Sequence, residues 1–267
     1  MDYIENFHLK FLFFLKKIKP VDTDIYISTY PRSGTTLMQM ALYQLTTDGC
    51  TNISHIYDYI PWIERSFIIG QKLDRSKHFV FKTHLNYEDF PSKTKGKFIY
   101  ITRNGFDVAK SHYLLRKDFY NSDLSFNDYL ENVFFDRNEG WFRHVSEWHT
   151  NINGFNILYI NYEDLILDKR HVIDQIIDFC ELTVSNDIIN RAIERTELEF
   201  MKQNHNLFGP QTIDLLESKN ESIQNEKFIN SGKIKDINVF SEYYQKKFKA
   251  EYYKHFVEKG MNIKKMF

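Results

Sequence analysis

The sequence predicts an α/β fold with a mainly parallel central sheet flanked by helices. Three observations predict it: four short β-prone apolar segments, helical patterns between and after them, and polar residues collected after each apolar segment. The predicted strands are residues 24–29 (DIYIST), 79–81 (FVF), 97–102 (KFIYIT) and 156–160 (NILYI). Each is rich in β-branched or aromatic residues and nearly continuous in apolar character, as strands covered on both faces are. Helical patterns cover residues 36–46, 107–115, 140–149 and 171–182. Strand–helix alternation of this kind points to a parallel sheet between helical layers.

In such sheets ligands sit beyond the carboxyl ends of the strands. The first predicted strand is followed by Tyr30-Pro-Arg-Ser-Gly-Thr-Thr36. The second is followed by Lys82, Thr83 and His84, the third by Arg103, and the fourth by Tyr162, Glu163 and Asp164. These residues are expected to converge at one end of the sheet.

Composition narrows the function classes. The 267 residues carry no Pro/Gly-rich linker and no repeat, so one domain is expected: an N-terminal helical segment (1–23), a core (24–240), and a C-terminal helix and tail (241–267). The 35 basic and 36 acidic residues nearly cancel, whereas a dedicated nucleic-acid binder carries a basic surplus. Cys50 and Cys180 form neither a disulfide framework nor a metal pattern, which suits a reducing cytoplasm. No segment reaches the ~20 apolar residues of a membrane span. The apolar stretch 11–15 reads as part of a first helix packed on the domain.

Three motifs carry chemistry. Pro31-Arg-Ser-Gly-Thr-Thr36 joins a strand to a helix. Gly34 permits a sharp turn, and backbone N–H groups at the helix start bind anions. The same residues taken alone also read as a helix cap, and the spacing is not that of a Walker A loop. Lys82 and His84 lie two apart, on the same side of an extended chain. Histidine accepts protons near neutral pH, and lysine offsets charge on a transferring group. Arg103 offers a guanidinium fork for phosphate oxygens, with Ser111 further along the following helix.

Together these stretches resemble the cytosolic sulfotransferases that use 3′-phosphoadenosine 5′-phosphosulfate (PAPS). Ile27–Thr36 resembles the 5′-phosphosulfate loop TYPKSGTTW, and Lys82-Thr-His-Leu85 resembles KTHL. Arg103–Ser111 resembles the 3′-phosphate motif, and Pro61-Trp-Ile-Glu64 resembles PFLE. Gly140–Trp148 resembles GSWxxHVxxW, Tyr162-Glu-Asp-Leu165 resembles YEDL, and Thr196 with Met201-Lys202 resembles TSFxxMK. The resemblance implies a three-layer, P-loop-like fold and sulfuryl transfer from PAPS to a small-molecule acceptor, leaving adenosine 3′,5′-bisphosphate (PAP), with no metal required. His84 is implied as general base, with Lys82 and Arg32 stabilising charge at the transferring group. Arg32, Ser33, Gly34, Thr35, Thr36 and Leu37 are implied around the 5′-phosphate and base, and Arg103, Ser111, Ser231, Gly232 and Lys233 around the 3′-phosphate. Tyr162, Thr196 and Leu198 are implied near adenine, and Trp62, Phe119 and Trp141 beside the acceptor.

The departures are specific. The family's loop lysine is Arg32, its adenine-stacking Trp is Leu37, and the Phe of TSF is Leu198. The final motif RKGxxGDW survives only as Asn230-Ser-Gly-Lys-Ile-Lys-Asp-Ile237, without its leading basic pair. Two other readings stay open at this level: an ATP-dependent phosphotransferase with a variant phosphate loop, whose strand-end metal carboxylate would be Asp164, and a non-catalytic nucleotide binder. Acceptor identity and oligomeric state are not encoded in these motifs.

Overall fold

A computed structural model describes residues 3–50, 52–77, 79–119, 123–209, 228–229 and 239–261. The chain begins with α1 (Tyr3–Ile18), β1 (Ile25–Thr29), α2 (Thr35–Thr46), α3 (Ile63–Ile68) and β2 (Val80–Thr83). It continues with β3 (Lys97–Thr102), α4 (Gly105–Phe119), α5 (Phe126–Tyr129), α6 (Trp141–Thr150) and β4 (Asn156–Asn161). The remaining helices are α7 (Tyr162–Leu167), α8 (Lys169–Cys180), α9 (Asn186–Arg195), α10 (Leu198–Gln203) and α11 (Glu242–Tyr252).

The four strands form one parallel sheet in the order β2-β1-β3-β4. Strand order reverses direction at β1, so the β1/β3 crevice is the topological switch point where ligands of open α/β sheets bind. Side chains alternate across this sheet as the strand period demands. Ile25, Ile27, Ile99 and Ile101 face a core built with α2, α8 and α9. Tyr26, Phe81, Phe98 and Tyr100 face the other side, where α1 and α6 supply Phe11, Leu15, Ile18 and Trp148. The sheet is therefore the middle of three layers. The first helix packs on the domain, with Phe11 meeting Phe67 edge-on at 5.1 Å.

Several boundaries differ from the sequence reading. The second strand runs through Lys82 and Thr83, both buried, while Phe79 is left 38% exposed. Neighbouring β1 and the segment at Trp62, which bridges to Lys82, supply partners that a polar side chain does not advertise. Conversely, β4 is an edge strand with several exposed positions, although its sequence is as apolar as the others. Helix α4 is longer than its apolar pattern, and α8 starts two residues early, where Asp168 caps it, and ends two residues early, where Glu181 turns left-handed.

A third, aromatic core holds the C-terminal helix. Phe248 of α11 stacks on Phe106 at 4.1 Å, and a Cβ on Gly105 would meet that ring at 2.5 Å. Trp141, expected beside the acceptor, is fully buried here between Phe134 and Phe248. It is a core residue in this structure, because the aromatic side chains of α6 and α11 close over it.

Burial also sets an acid limit on stability. His112 and His144 are buried, and desolvation pushes both down to about 3. The unfolded chain titrates near 6.5, so it binds more protons than the folded chain between those values. Stability is therefore kept above about pH 6.5 and falls as pH drops toward the folded value. At pH 5 the two histidines together should cost about 4 kcal/mol. Urea midpoints at pH 7 and pH 5 check this: His112→Gln should lose about 2 kcal/mol less than wild type over that interval. An identical loss would remove His112 from the account.

Candidate active site

At the carboxyl end of β1 the chain turns sharply into α2. Arg32 adopts φ 71° and Gly34 φ 106°, both left-handed. Such a conformation is rare for a residue with a Cβ and is held here by tertiary contacts. Arg103 Nη1 donates to the Arg32 carbonyl at 3.1 Å, and Ser33 N–H donates back to Tyr30 O. At Gly34 a side chain is excluded as well, since a Cβ would stand 2.6 Å from the Tyr162 ring. Gly34 is the N-cap of the twelve-residue α2, and no side chain caps that helix. Its first-turn N–H groups and positive dipole end fit a phosphate.

His84 follows β2 and folds back against β1. Its Nδ1 lies 2.8 Å from the Thr29 carbonyl, which can only accept, so Nδ1 carries the proton. The Nε2 lone pair is thereby left for a base. Thr29 Oγ1 also lies 3.3 Å from Nδ1 and 2.7 Å from Thr35 Oγ1, tying the histidine to the start of α2. The His84 backbone N–H donates to Glu64 Oε1 at 2.6 Å. Burial first, and the nearby Lys82 charge second, hold the His84 imidazole well below its ordinary range. It is therefore neutral at physiological pH.

Lys82 is buried beside it. Its ammonium donates to Tyr57 Oη at 3.0 Å and lies 4.3 Å from the Trp62 ring and 5.0 Å from the Tyr57 ring. Trp62 in turn meets His84 edge-on at 5.6 Å. Glu64 is desolvated, and burial raises its carboxyl pKa despite the bond from His84.

A second group of cations lies toward β3. Arg103 is buried, stacks on Tyr162 at 4.4 Å, and pairs with Asp107 at 3.5 Å. Its Nε is buried and has no partner among the described residues, so a donor remains for an anion. Arg32 Nε donates to Ser111 Oγ at 3.0 Å, and Nη2 donates to the Phe228 carbonyl at 3.0 Å. Its guanidinium lies over the Phe228 ring, which meets Phe119 edge-on. The Arg32 side chain thus bridges toward Ser111, a direction that its expected places at the transferring group and in the donor-binding loop do not specify.

Most of the expected residues are gathered by these contacts. Ser33 and Thr35 are buried in the loop, Thr36 is half-buried, and Leu37 packs partly against the first core. Thr196 is buried at the end of α9 and donates to carbonyls of its own helix, while Leu198 is 38% exposed. Neither touches the gathered residues through a described contact. Ser231, Gly232 and Lys233 lie outside the described residues, as does the rest of the degraded final motif. Sequence reasoning missed Thr29, Tyr57 and Glu64 as supports of His84 and Lys82. Among the described residues no group of three or more His, Cys, Asp or Glu side chains is placed to hold a metal ion, and no helix is long and apolar enough to cross a membrane.

A half-buried histidine held by Thr29, a buried lysine beside it and a helix start with no side-chain cap are parts that fit a group-transfer enzyme acting on a phosphorylated donor. The sulfotransferase domain profile matches residues 22–262. Sulfotransferase 1E1 of Mus musculus is 31% identical over 197 residues, covering 68% of this chain and 66% of that protein. Sulfotransferase 1B1 of Mus musculus is 31% identical over 213 residues, covering 71% of this chain and 69% of that protein. Amine sulfotransferase of Oryctolagus cuniculus is 29% identical over 191 residues, covering 68% of this chain and 64% of that protein. Among solved structures, mouse sulfotransferase SULT7A1 complexed with PAP is 25% identical with a TM-score of 0.69, covering 92% of this chain and 88% of that one. The chain belongs to the sulfotransferase family.

Proposed function

We propose that the protein transfers a sulfuryl group from PAPS to a hydroxyl or amine of a small molecule, with His84 Nε2 taking the acceptor proton. The observation that carries this reading is the Nδ1 bond of His84 to Thr29 O, which fixes the tautomer beside buried Lys82. A base must be neutral and correctly tautomeric before it meets its proton. Lys82 supplies positive charge where the transferring oxygens gather negative charge. The α2 start and the Thr35 hydroxyl hold the 5′-phosphate, and Arg103 with Ser111 holds the 3′-phosphate. PAPS brings the activated sulfuryl group, and PAP leaves as a stable anion. The acceptor set includes amines as well as hydroxyls, since one relative is an amine sulfotransferase. A cytoplasmic location suits Cys50 and Cys180, both free thiols.

Titration with PAP, ADP and ATP, followed by turnover of PAPS with a panel of phenols, alcohols and amines, tests the proposal. PAP should bind most tightly, and at least one acceptor should be sulfated. Tighter binding of ATP than PAP, with phosphate transferred, would instead establish the phosphotransferase reading.

Arg32 gives a sharper test of the donor site. Arg32→Ala removes a guanidinium that bonds Ser111 and Phe228, so donor affinity and turnover should both fall, by about tenfold for one charge-assisted contact. Arg32→Lys restores the family residue and should recover much of the turnover. If the lysine variant is as impaired as the alanine variant, the fork geometry of Arg32 is required and its charge alone is not enough.

A further inference from the structure

A mainly apolar cavity of about 270 Å³ lies beside the amino-terminal ends of β1 and β3, away from His84 and Lys82. Leu15 and Ile18 of α1, Tyr26 of β1 and Phe90 form its walls. All four are buried core residues. Lys16, Lys93 and Lys95 stand at its rim, exposed to solvent. Lys95 is paired with Asp22 at 3.0 Å, and Lys16 and Lys93 form no ion pair among the described residues. Asp24, next to the walls, is already satisfied. It pairs with Arg75 at 2.6 Å and accepts from Val21 N–H at 2.9 Å and from Tyr26 Oη at 3.4 Å.

These observations select a ligand. The interior offers hydrocarbon contact and no free charge, and the charged residues that line the rim are all lysines, of which Lys95 is already paired with Asp22. A cation is repelled at the rim, and a strongly polar solute gains nothing from the walls. The volume lies just under the about 300–1,000 Å³ of ordinary small-molecule sites, which leaves room for one short chain or ring system. We propose that this cavity is a second binding site, for a small amphipathic anion with an apolar body and a single carboxylate or sulfate head. Such a molecule inserts its body between α1 and the sheet and leaves its head among Lys16, Lys93 and Lys95.

Two sources supply that chemistry: a free fatty carboxylate, or a sulfate ester of the kind the proposed reaction makes. Calorimetric titration with octanoate, octyl sulfate and 1-octanol, each below its aggregation threshold, separates them. Both anions should bind with one-to-one saturation, at least about tenfold more tightly than the uncharged alcohol, the effect of one charge-assisted contact. The tighter of the two anions identifies the source. In a Lys16→Ala/Lys93→Ala variant the anions should fall to the affinity of the alcohol, with the alcohol unchanged. Both substitutions are on the exposed rim, so the core stays intact, as the thermal midpoint will verify. Equal affinity for alcohol and anions, or a variant that binds the anions as wild type does, overturns the proposal. Turnover is not part of the readout, so failure here leaves the sulfuryl-transfer reading untouched, and failure of that reading leaves this site standing.

Discussion

Replacing His84 by alanine is expected to lower turnover by roughly 10²–10⁴-fold, the range for losing a positioned general base. PAP affinity should change little, because the contacts of His84 run to Thr29, Glu64 and Trp62 and not to Arg103 or Ser111. The pH profile supplies a second readout. Burial and Lys82 depress the folded pKa of His84, so the imidazole stays neutral until the pH falls well below the usual histidine value. Wild-type turnover should therefore be flat through about pH 6.5 and decline only in more acidic solution. The measurement is kcat against pH, alongside PAP binding by calorimetry. Turnover of the alanine variant within threefold of wild type would remove His84 as base, and an acid limb centred at the usual histidine value would remove its desolvation from the account.

How much of this was legible in the sequence follows from how local each feature is. The strands at 24–29 and 97–102 were readable because continuous apolar runs report burial on both faces, and both proved central. The edge position of β4 was not readable, since exposure there depends on the absence of a neighbour on one side. The glycine turn at Gly34 could be inferred from its place between strand and helix. That Tyr162 is what excludes a Cβ there could not, because the two lie far apart in the chain. Likewise Lys82 and His84 stood out by type and spacing, but their supports did not. Glu64 reaches the His84 amide across 20 residues, and Thr29 reaches its ring across 55. Trp141 misled for the opposite reason. Its motif predicted a pocket wall, whereas the aromatic side chains that bury it come partly from the distant α11. Arg32 shows an intermediate case: its place in the loop was evident, and its turn toward Ser111 depends on where α4 begins.

The placement of Lys82 makes its replacement the sharper test of the transfer step. An ammonium buried between Trp62 and Tyr57 costs desolvation, offset in part by cation–π attraction and the Tyr57 hydroxyl. Such a cost is hard to explain by packing alone, because a thioether fills an aromatic slot well. Lys82→Met should therefore fold with a thermal midpoint equal to or above that of wild type. Its kcat should nonetheless fall by roughly 10²–10³-fold, the usual loss for one donor that stabilises charge in the transition state. PAP affinity should stay within a few-fold, because PAP lacks the sulfuryl oxygens that Lys82 is proposed to meet. A structural lysine would give the reverse pattern, a lowered midpoint with kcat close to wild type in the folded fraction. Single-turnover rates with saturating PAPS separate the two directly, since they report chemistry without product release.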